Sequence, residues 1–188
     1  MPTRAHRIED WEFSPDDRLF FDTNIWLLLL GEQGSPTDPI VAIYSAAYKR
    51  ILKAQSQILT DTLVLAEFAN ASLRLRHELE LRFAEPGEVP TNFKEFRSSA
   101  DGRDAVQGVS DLVRTIVEGT QVLPSEPPAD WAIFHQTLSA GQRDFNDELI
   151  VEQFQRKQAI LVTHDRDFAD ADIEVLTCQP KYFRRRAR

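Results

Sequence analysis

Four acidic residues have the types and positions to do chemistry together. Asp22 and Asp165 each follow a predicted buried strand, Asp147 lies in the first turn of a predicted helix, and Glu67 lies among apolar residues of another predicted helix. Ligand sites of open α/β sheets form at the carboxyl ends of the strands. Carboxylates gathered there would repel one another unless cations were bound or pKa values shifted. Carboxylates alone suit Mg²⁺ or Mn²⁺, which indicates metal-assisted phosphodiester hydrolysis.

Each of these acids also has a simpler structural explanation. Asp22 is suited to cap a helix, and Asp144 with Asp147 has the spacing of a capping box. Asp165 is suited to a turn, and Glu67 could point at water from the edge of its helix. The arrival of all four at one end of the same predicted sheet favours a functional site over four unrelated structural roles.

Other catalytic chemistries lack their motifs. No arrangement of the seven glycines gives a dinucleotide-binding or P-loop pattern, and the HExxH and GxSxG motifs are absent. Cys178 is the single cysteine, so a disulfide within the chain is excluded. An aspartyl-phosphate phosphatase also begins with an Asp after the first strand, but it needs a second Asp two residues later. Asn24 occupies that position.

Composition limits the class of protein. The chain has 188 residues, of which 42% are apolar, enough for one domain with its own core. The charged start of the chain has no signal-like apolar segment, and the longest apolar run, Ile25–Leu30, is too short to span a membrane. We therefore expect a cytoplasmic protein without a membrane span.

The net charge argues at first against a nucleic-acid partner. It is −8, with 30 acidic against 22 basic residues, whereas phosphate binding draws on Lys and Arg. Without the four candidate acids, 26 acidic residues would face 22 basic ones. The segment 181–188 carries five basic residues and no acid. We interpret it as a solvated tail or as an RNA contact through Arg184, Arg185 and Arg186.

Short β-rich runs alternate with longer helical stretches, which predicts an α/β fold with a mainly parallel sheet. The predicted strands are Leu19–Phe21, Gln57–Leu59, Val122–Leu123, Ala159–Thr163 and, at one edge, Ile173–Thr177. Helices are predicted from Ile25 and over 39–56, 62–83, 104–118, 129–140 and 144–157. Prolines and glycines between 85 and 104 predict an insertion or mobile loop.

Four motifs follow one another along the chain: Asp22-Thr-Asn after the first strand, the segment 59–68, Asp147 with Ile150, and the segment 160–168. Taken in this order, they resemble the PIN-domain ribonucleases, most nearly the VapC-type toxins of bacterial toxin–antitoxin pairs. The resemblance covers about 19–176. It implies a three-layer α/β/α sandwich with a central mainly parallel sheet, one or two Mg²⁺ or Mn²⁺ ions, RNA as substrate, a small antitoxin as partner and a homodimer.

The resemblance also implies roles for individual residues. Asp22 and Asp147 would bind the metal directly, and Glu67 and Asp165 would complete the site directly or through water. Asp144 could replace or join Asp147, and Asp167 is a weaker substitute for Asp165. Thr23, Asn24 and Thr163 would orient ligands or water.

The resemblance leaves two other functions open. One is a PIN nuclease that processes RNA without an antitoxin, and the other is a non-catalytic PIN-like scaffold that binds RNA or protein. An antitoxin gene beside this one would distinguish a toxin from the first alternative. In every case residues 1–188 are expected to form a single PIN-like domain with an insertion near 85–104 and a basic tail at 181–188.

Overall fold

The computed structural model describes residues 4–183, apart from positions 86 and 142 and the side chains at 155–157. The strands of this part are β1 (Arg4–Arg7), β2 (Arg18–Phe21), β3 (Gln57–Asp61), β4 (Gln121–Leu123), β5 (Ile160–Val162) and β6 (Glu174–Thr177). They form one sheet in the order β1-β6-β5-β2-β3-β4, and every neighbouring pair is parallel. The mainly parallel sheet that the sequence predicts is confirmed.

Helices cover both faces of this sheet. They are α1 (Thr23–Leu29), α2 (Pro39–Ala54), α3 (Thr62–Phe83), α4 (Phe93–Ser98), α5 (Ala100–Gly119), α6 (Trp131–Ser139) and α7 (Phe145–Lys157), with a 3₁₀ turn at Pro180–Phe183. On one face the ring of Phe20 packs edge-on against Phe154 of α7. On the other face Phe21 contacts Trp26 of α1 and Tyr48 of α2. Because successive side chains of a strand point to opposite faces, these contacts define a three-layer α/β/α sandwich.

Aspartates cap many of the helices. The side chains of Asp22, Asp38, Asp61, Asp130 and Asp144 each accept a backbone N–H in the first turn of the helix that follows. Such caps satisfy donors that have no partner within the helix. Part of the acidic excess of this chain therefore has a structural use.

The N-terminal strand was not predicted, and the edge prediction for Ile173–Thr177 is wrong. Arg4–Arg7 pairs in parallel with Glu174–Thr177 and forms the edge in its place. His6 Nε2 lies 3.1 Å from Glu174 Oε1 across this pair. A short charged strand is typical of a sheet edge, but its sequence lacks the apolar alternation from which a strand is predicted.

The segment 85–104 is not simply a loop, since it contains α4 and the start of α5. Asn92 caps α4, and Ser99 ends it and caps α5. At Gly102 a Cβ atom would lie 1.8 Å from the carbonyl oxygen of Phe96, so this close junction requires glycine. The predicted helix over 104–118 therefore begins four residues earlier. No helix in the described part of the chain is long and apolar enough to cross a membrane.

Candidate active site

Asp22 lies at the centre of the site, where two neighbouring strands end. β2 and β5 pair directly, with Phe21 opposite Val162, so the residues that follow them meet. Asp22 Oδ2 accepts a hydrogen bond from Thr163 Oγ1 at 2.6 Å and another from Asn24 Nδ2, while Oδ1 accepts from the Thr23 backbone N–H at 2.7 Å. The side chain is fixed by these donors and is only 6% exposed.

Glu67 reaches the same place from α3. Its Oε2 accepts a hydrogen bond of 3.0 Å from Thr23 Oγ1. Thr23 therefore connects the two acids, because its backbone N–H binds Asp22 and its hydroxyl binds Glu67. This contact explains how an acid among the apolar residues at the start of α3 is stabilised without a basic partner nearby in the sequence.

Asp165 follows β5 in a turn that Asn24 and Thr163 hold in place. Asn24 Oδ1 accepts the His164 N–H at 3.0 Å, and Thr163 Oγ1 accepts the Asp165 N–H at 2.9 Å. Asp165 Oδ1 caps the next turn by accepting the N–H of Asp167 at 2.9 Å. Asp167 is exposed, whereas Asp165 is partly buried.

Asp144 and Asp147 divide two roles at the start of α7. Asp144 is the N-cap, and its Oδ1 accepts the Asp147 N–H at 2.9 Å, as the capping-box spacing predicts. Asp147 is partly buried in the first turn. Its carboxylate interacts electrostatically with those of Asp22, Glu67 and Asp165 as well as Asp144. The structure thus brings all the candidate acids into one region.

Burial and mutual repulsion raise the pKa values of three of these acids. Burial raises the pKa of Asp22 to about 6, with Glu67 and Asp165 adding to the shift and the Thr163 and Thr23 hydrogen bonds opposing it. Burial, followed by the charge of Asp144, raises the pKa of Asp147 to about 7. Burial also raises the pKa of Glu67, against the hydrogen bond from Thr23. Negative charge in this region is therefore costly without a cation.

The chemistry of these donors suits a hard divalent cation. All are carboxylate oxygens, which Mg²⁺ and Mn²⁺ prefer. Burial and then the neighbouring negative charges raise the pKa values of Asp22, Glu67 and Asp147, and a bound cation would offset both effects. Within the described residues, no three acidic, His or Cys side chains are grouped tightly enough to hold an ion. Asp22 is fixed by hydrogen bonds, so binding would require the other carboxylates to close towards it.

Two tyrosines at the site were missed by the sequence analysis. The hydroxyl of Tyr182, in the C-terminal 3₁₀ turn, donates to the backbone oxygen of Asp165 at 2.6 Å. The hydroxyl of Tyr44 donates to the backbone oxygen of Thr163 at 2.9 Å and lies 3.2 Å from His164 Nδ1. Tyr44 lies at helical spacing from Ala47 and Ile51, and these three are the buried residues of α2. Nothing in the sequence placed Tyr182 near an acid.

His164 lies beside this site between Gln179 and Tyr44. Its Nε2 lies 3.4 Å from the side-chain amide nitrogen of Gln179, and its Nδ1 lies 3.2 Å from the hydroxyl of Tyr44. Burial lowers the pKa of His164, and the carboxylates of Asp165 and Asp38 oppose this shift. The loop after β5 is therefore fixed on both sides of Asp165.

This fold and this site define a class of protein. It is a parallel α/β/α sandwich whose carboxylates are gathered where the central strands end. The family model of the PIN domain matches residues 19–174, so the chain belongs to the PIN-domain family. PIN domains are generally nucleases that use divalent metal ions. The family resemblance seen in the sequence is thereby confirmed.

Two solved structures are similar to this chain. VapBC2 from Rickettsia felis, bound to a DNA fragment from their promoter, is 14% identical with a TM-score of 0.51, covering 85% of this chain and 98% of that chain. FitAcB from Neisseria gonorrhoeae is 18% identical with a TM-score of 0.42, covering 84% and 96%. No curated protein matches the sequence.

Proposed function

We propose that this protein is an endoribonuclease that depends on Mg²⁺ or Mn²⁺ and acts as the toxin of a toxin–antitoxin pair. One observation carries the proposal: Asp22 and Asp165 follow β2 and β5, and Glu67 and Asp147 reach the same region from α3 and α7. The charges that shift the pKa values of Asp22, Glu67 and Asp147 are all negative. By contrast, the buried acid Glu148 is paired with the cation Arg143.

In the proposed mechanism Asp22 and Asp147 would hold the metal, and Glu67 and Asp165 would complete the site directly or through water. When bound, the ion supplies a Lewis acid that activates water and neutralises charge developing on the phosphate. Thr163, Asn24 and Thr23 keep the carboxylate of Asp22 in one orientation.

Metal binding depends on pH in this mechanism, because the carboxyl groups that would hold the metal carry protons at low pH. With pKa values of about 6 for Asp22 and about 7 for Asp147, both carboxyls hold protons in part below neutrality. A cation favours the ionised forms and releases those protons. Metal affinity is therefore expected to rise from pH 5 to pH 8.

The proposed partner is a small antitoxin, and the proposed assembly is a homodimer of single PIN-like domains with the 85–104 segment as an insertion. The sequence resemblance to VapC-type toxins supports the antitoxin, together with the fold shared with VapBC2 from Rickettsia felis. The RNA contacts proposed for Arg184, Arg185 and Arg186 rest on the sequence, because these residues lie outside the described part of the chain.

Cleavage of total RNA by the purified chain tests the nuclease. We expect cleavage with Mn²⁺, none with EDTA, and a loss of about 100-fold or more in Asp22→Asn and Asp147→Asn, a loss typical of removing one group that stabilises the transition state. Asp130→Asn is the matched control, because it alters an equivalent helix cap outside the site. Mapping the cut ends identifies the sites that are cut.

Undiminished cleavage in EDTA or in both site variants would contradict metal-dependent catalysis. Binding of RNA without cleavage by the wild-type chain under any divalent metal would favour the non-catalytic scaffold. Co-expression with the product of a small adjacent open reading frame tests the toxin. Restored growth and inhibited cleavage are expected, whereas a nuclease without such a partner would belong to RNA processing.

A further inference from the structure

A groove of about 530 Å³ adjoins the acidic site on the side of α1 and α2. Its volume lies within the range of small-molecule sites, about 300–1,000 Å³. Asn24 and Asp165 belong both to this groove and to the acidic site. A polymer whose phosphate lies at the carboxylates would therefore place a neighbouring unit in the groove. We call it the Asp38 groove, after the acid that lines it.

The walls of the Asp38 groove combine apolar and polar groups. Leu28 and Ile40 supply apolar surface, while Asp38, His164 and Gln179 supply polar atoms. A flat ring packs against apolar and aromatic side chains and is selected by hydrogen bonds at its edge. This mixture matches a nucleobase better than it matches a purely charged or a purely apolar ligand.

Asp38 lines the groove and is held by a helix-capping hydrogen bond, so that it can accept a hydrogen bond from the edge of a nucleobase. Its Oδ1 accepts the Ile40 N–H at 2.8 Å as the cap of α2. Its Oδ2 points towards Gly34, where a Cβ atom would lie 3.9 Å away, and Gly34 also lines the groove. A carboxylate offers several acceptor positions and no donor. Asp38 can therefore accept an N–H from a ligand but cannot donate.

Two further residues line the groove: His164, which its neighbours hold in place, and Arg166, which is a cation. His164 is held by Tyr44 and Gln179. Arg166, exposed one residue after Asp165, also lines the groove. An exposed guanidinium beside a phosphate-cutting site suits a contact to a backbone phosphate. The groove thus offers Asp38 as a hydrogen-bond acceptor for a nucleobase and Arg166 as a cation for a backbone phosphate.

We propose that the Asp38 groove binds the base of an RNA nucleotide next to the cleaved phosphate, and that Asp38 selects bases with an exocyclic amino group over uracil. The proposal rests on the proposed ribonuclease function. Adenine, cytosine and guanine each present an exocyclic amino group with two N–H donors, whereas uracil presents only its ring N3–H, flanked by two carbonyl oxygens that repel a carboxylate. The groove would thereby set the nucleotide preference of the cut site.

Binding of nucleoside 5′-monophosphates to the full chain with Mn²⁺ tests the groove without any cleavage, because these ligands contain no phosphodiester bond. AMP, CMP, GMP and UMP share the ribose phosphate, so differences among their affinities report the base. We expect UMP to bind about fivefold more weakly than the others, which is the effect of about one hydrogen bond. Asp38→Asn keeps the helix cap but gains an amide donor, so this preference should vanish or reverse.

Two further variants locate the effect. Asp130→Asn changes a helix cap outside the groove in the same way and should leave the preference intact. Gln33→Glu adds a negative charge at an exposed position on the groove wall and should weaken binding of all four nucleotides, because each carries a negative phosphate. Thermal unfolding of each variant shows whether the fold is kept. Cut-end mapping with Mn²⁺ should show the same shift in nucleotide preference for Asp38→Asn.

The outcomes distinguish a failure of the groove proposal from a failure of the ribonuclease proposal. If the wild-type chain cuts RNA but binds the four monophosphates equally or not at all, and Asp38→Asn keeps the wild-type cut sites, the groove proposal is overturned and the nuclease stands. If the chain cuts no RNA but binds monophosphates with a preference that Asp38→Asn changes, the groove stands and the nuclease fails.

Discussion

Two neighbouring acids on α7 lie in opposite electrostatic environments. Glu148 is paired with Arg143, whose Nε and Nη2 both lie 2.8 Å from Glu148 Oε2, and the two side chains are 9% and 7% exposed. Asp147 instead faces Asp144, Asp22, Asp165 and Glu67, and its pKa is raised to about 7. One turn of helix therefore carries a compensated charge and an uncompensated one.

The difference shows how a structural acid is distinguished from a functional one. A buried charge without a partner is costly, so a protein that needs an acid only for packing pairs it. The acids around Asp147 are kept together although they repel one another. A fold tolerates such repulsion where a ligand, here the proposed cation, relieves it. The following predictions test this contrast.

Removing the compensating partner should produce the largest effect on stability. Arg143→Met leaves Glu148 buried without its cation and is expected to lower the free energy of unfolding by about 3–5 kcal/mol. Urea denaturation measures the change. The double variant Arg143→Met/Glu148→Met removes both charges and should recover most of the loss. If the double variant is as unstable as the single one, the pair is not what stabilises this turn.

A bound cation should stabilise the folded protein through the uncompensated acids around Asp147, and not through the Arg143–Glu148 pair. With Mn²⁺ at about 100 times its dissociation constant, the wild-type chain should gain about 2.7 kcal/mol in the free energy of unfolding. Asp22→Asn should lose most of this gain, whereas Asp130→Asn should keep it. Thermal unfolding with and without Mn²⁺ measures the difference, and an equal gain in the two variants would mean that the ion binds elsewhere.

Neutralising Asp147 should stabilise the metal-free protein in a pH-dependent way. Its folded pKa of about 7 lies above the unfolded value of about 3.9, so ionisation costs stability progressively between those values. Asp147→Asn is therefore expected to raise Tm in EDTA by about 2–4 °C at pH 8, allowing for screening by solvent, and by almost nothing at pH 4. A gain of equal size at both pH values would contradict the assigned repulsion.

The smallest effect is expected at Tyr182, which positions Asp165. Tyr182→Phe removes the hydrogen bond to the Asp165 backbone oxygen and should cost about 1 kcal/mol of stability. The informative measurement is the Mn²⁺ concentration required for half-maximal cleavage, which should rise several-fold if the position of Asp165 matters. An unchanged metal requirement with reduced Tm would assign Tyr182 a purely structural role.

Much of the fold could be predicted from local sequence. The buried strands at Leu19–Phe21 and Ile160–Val162 follow from their apolar runs, and the helix after the first of them follows from apolar periodicity and a capping side chain. The positions of Asp22 and Asp165 after those strands were predictable for the same reason, since parallel strands end at one edge of the sheet. Arg4–Arg7 was not, because a charged edge strand exists only through its pairing with Glu174–Thr177.

By itself, the sequence determined where the acids lie along the chain, because strand and helix boundaries are set by residues close to one another. The tertiary structure alone decided which acids are compensated. The hydrogen bond from Thr23 to Glu67 spans 44 residues, and the one from Thr163 to Asp22 spans 141. Contacts of this range depend on which strands become neighbours, which no local pattern specifies. For the same reason, the sequence did not indicate the roles of Tyr44 and Tyr182.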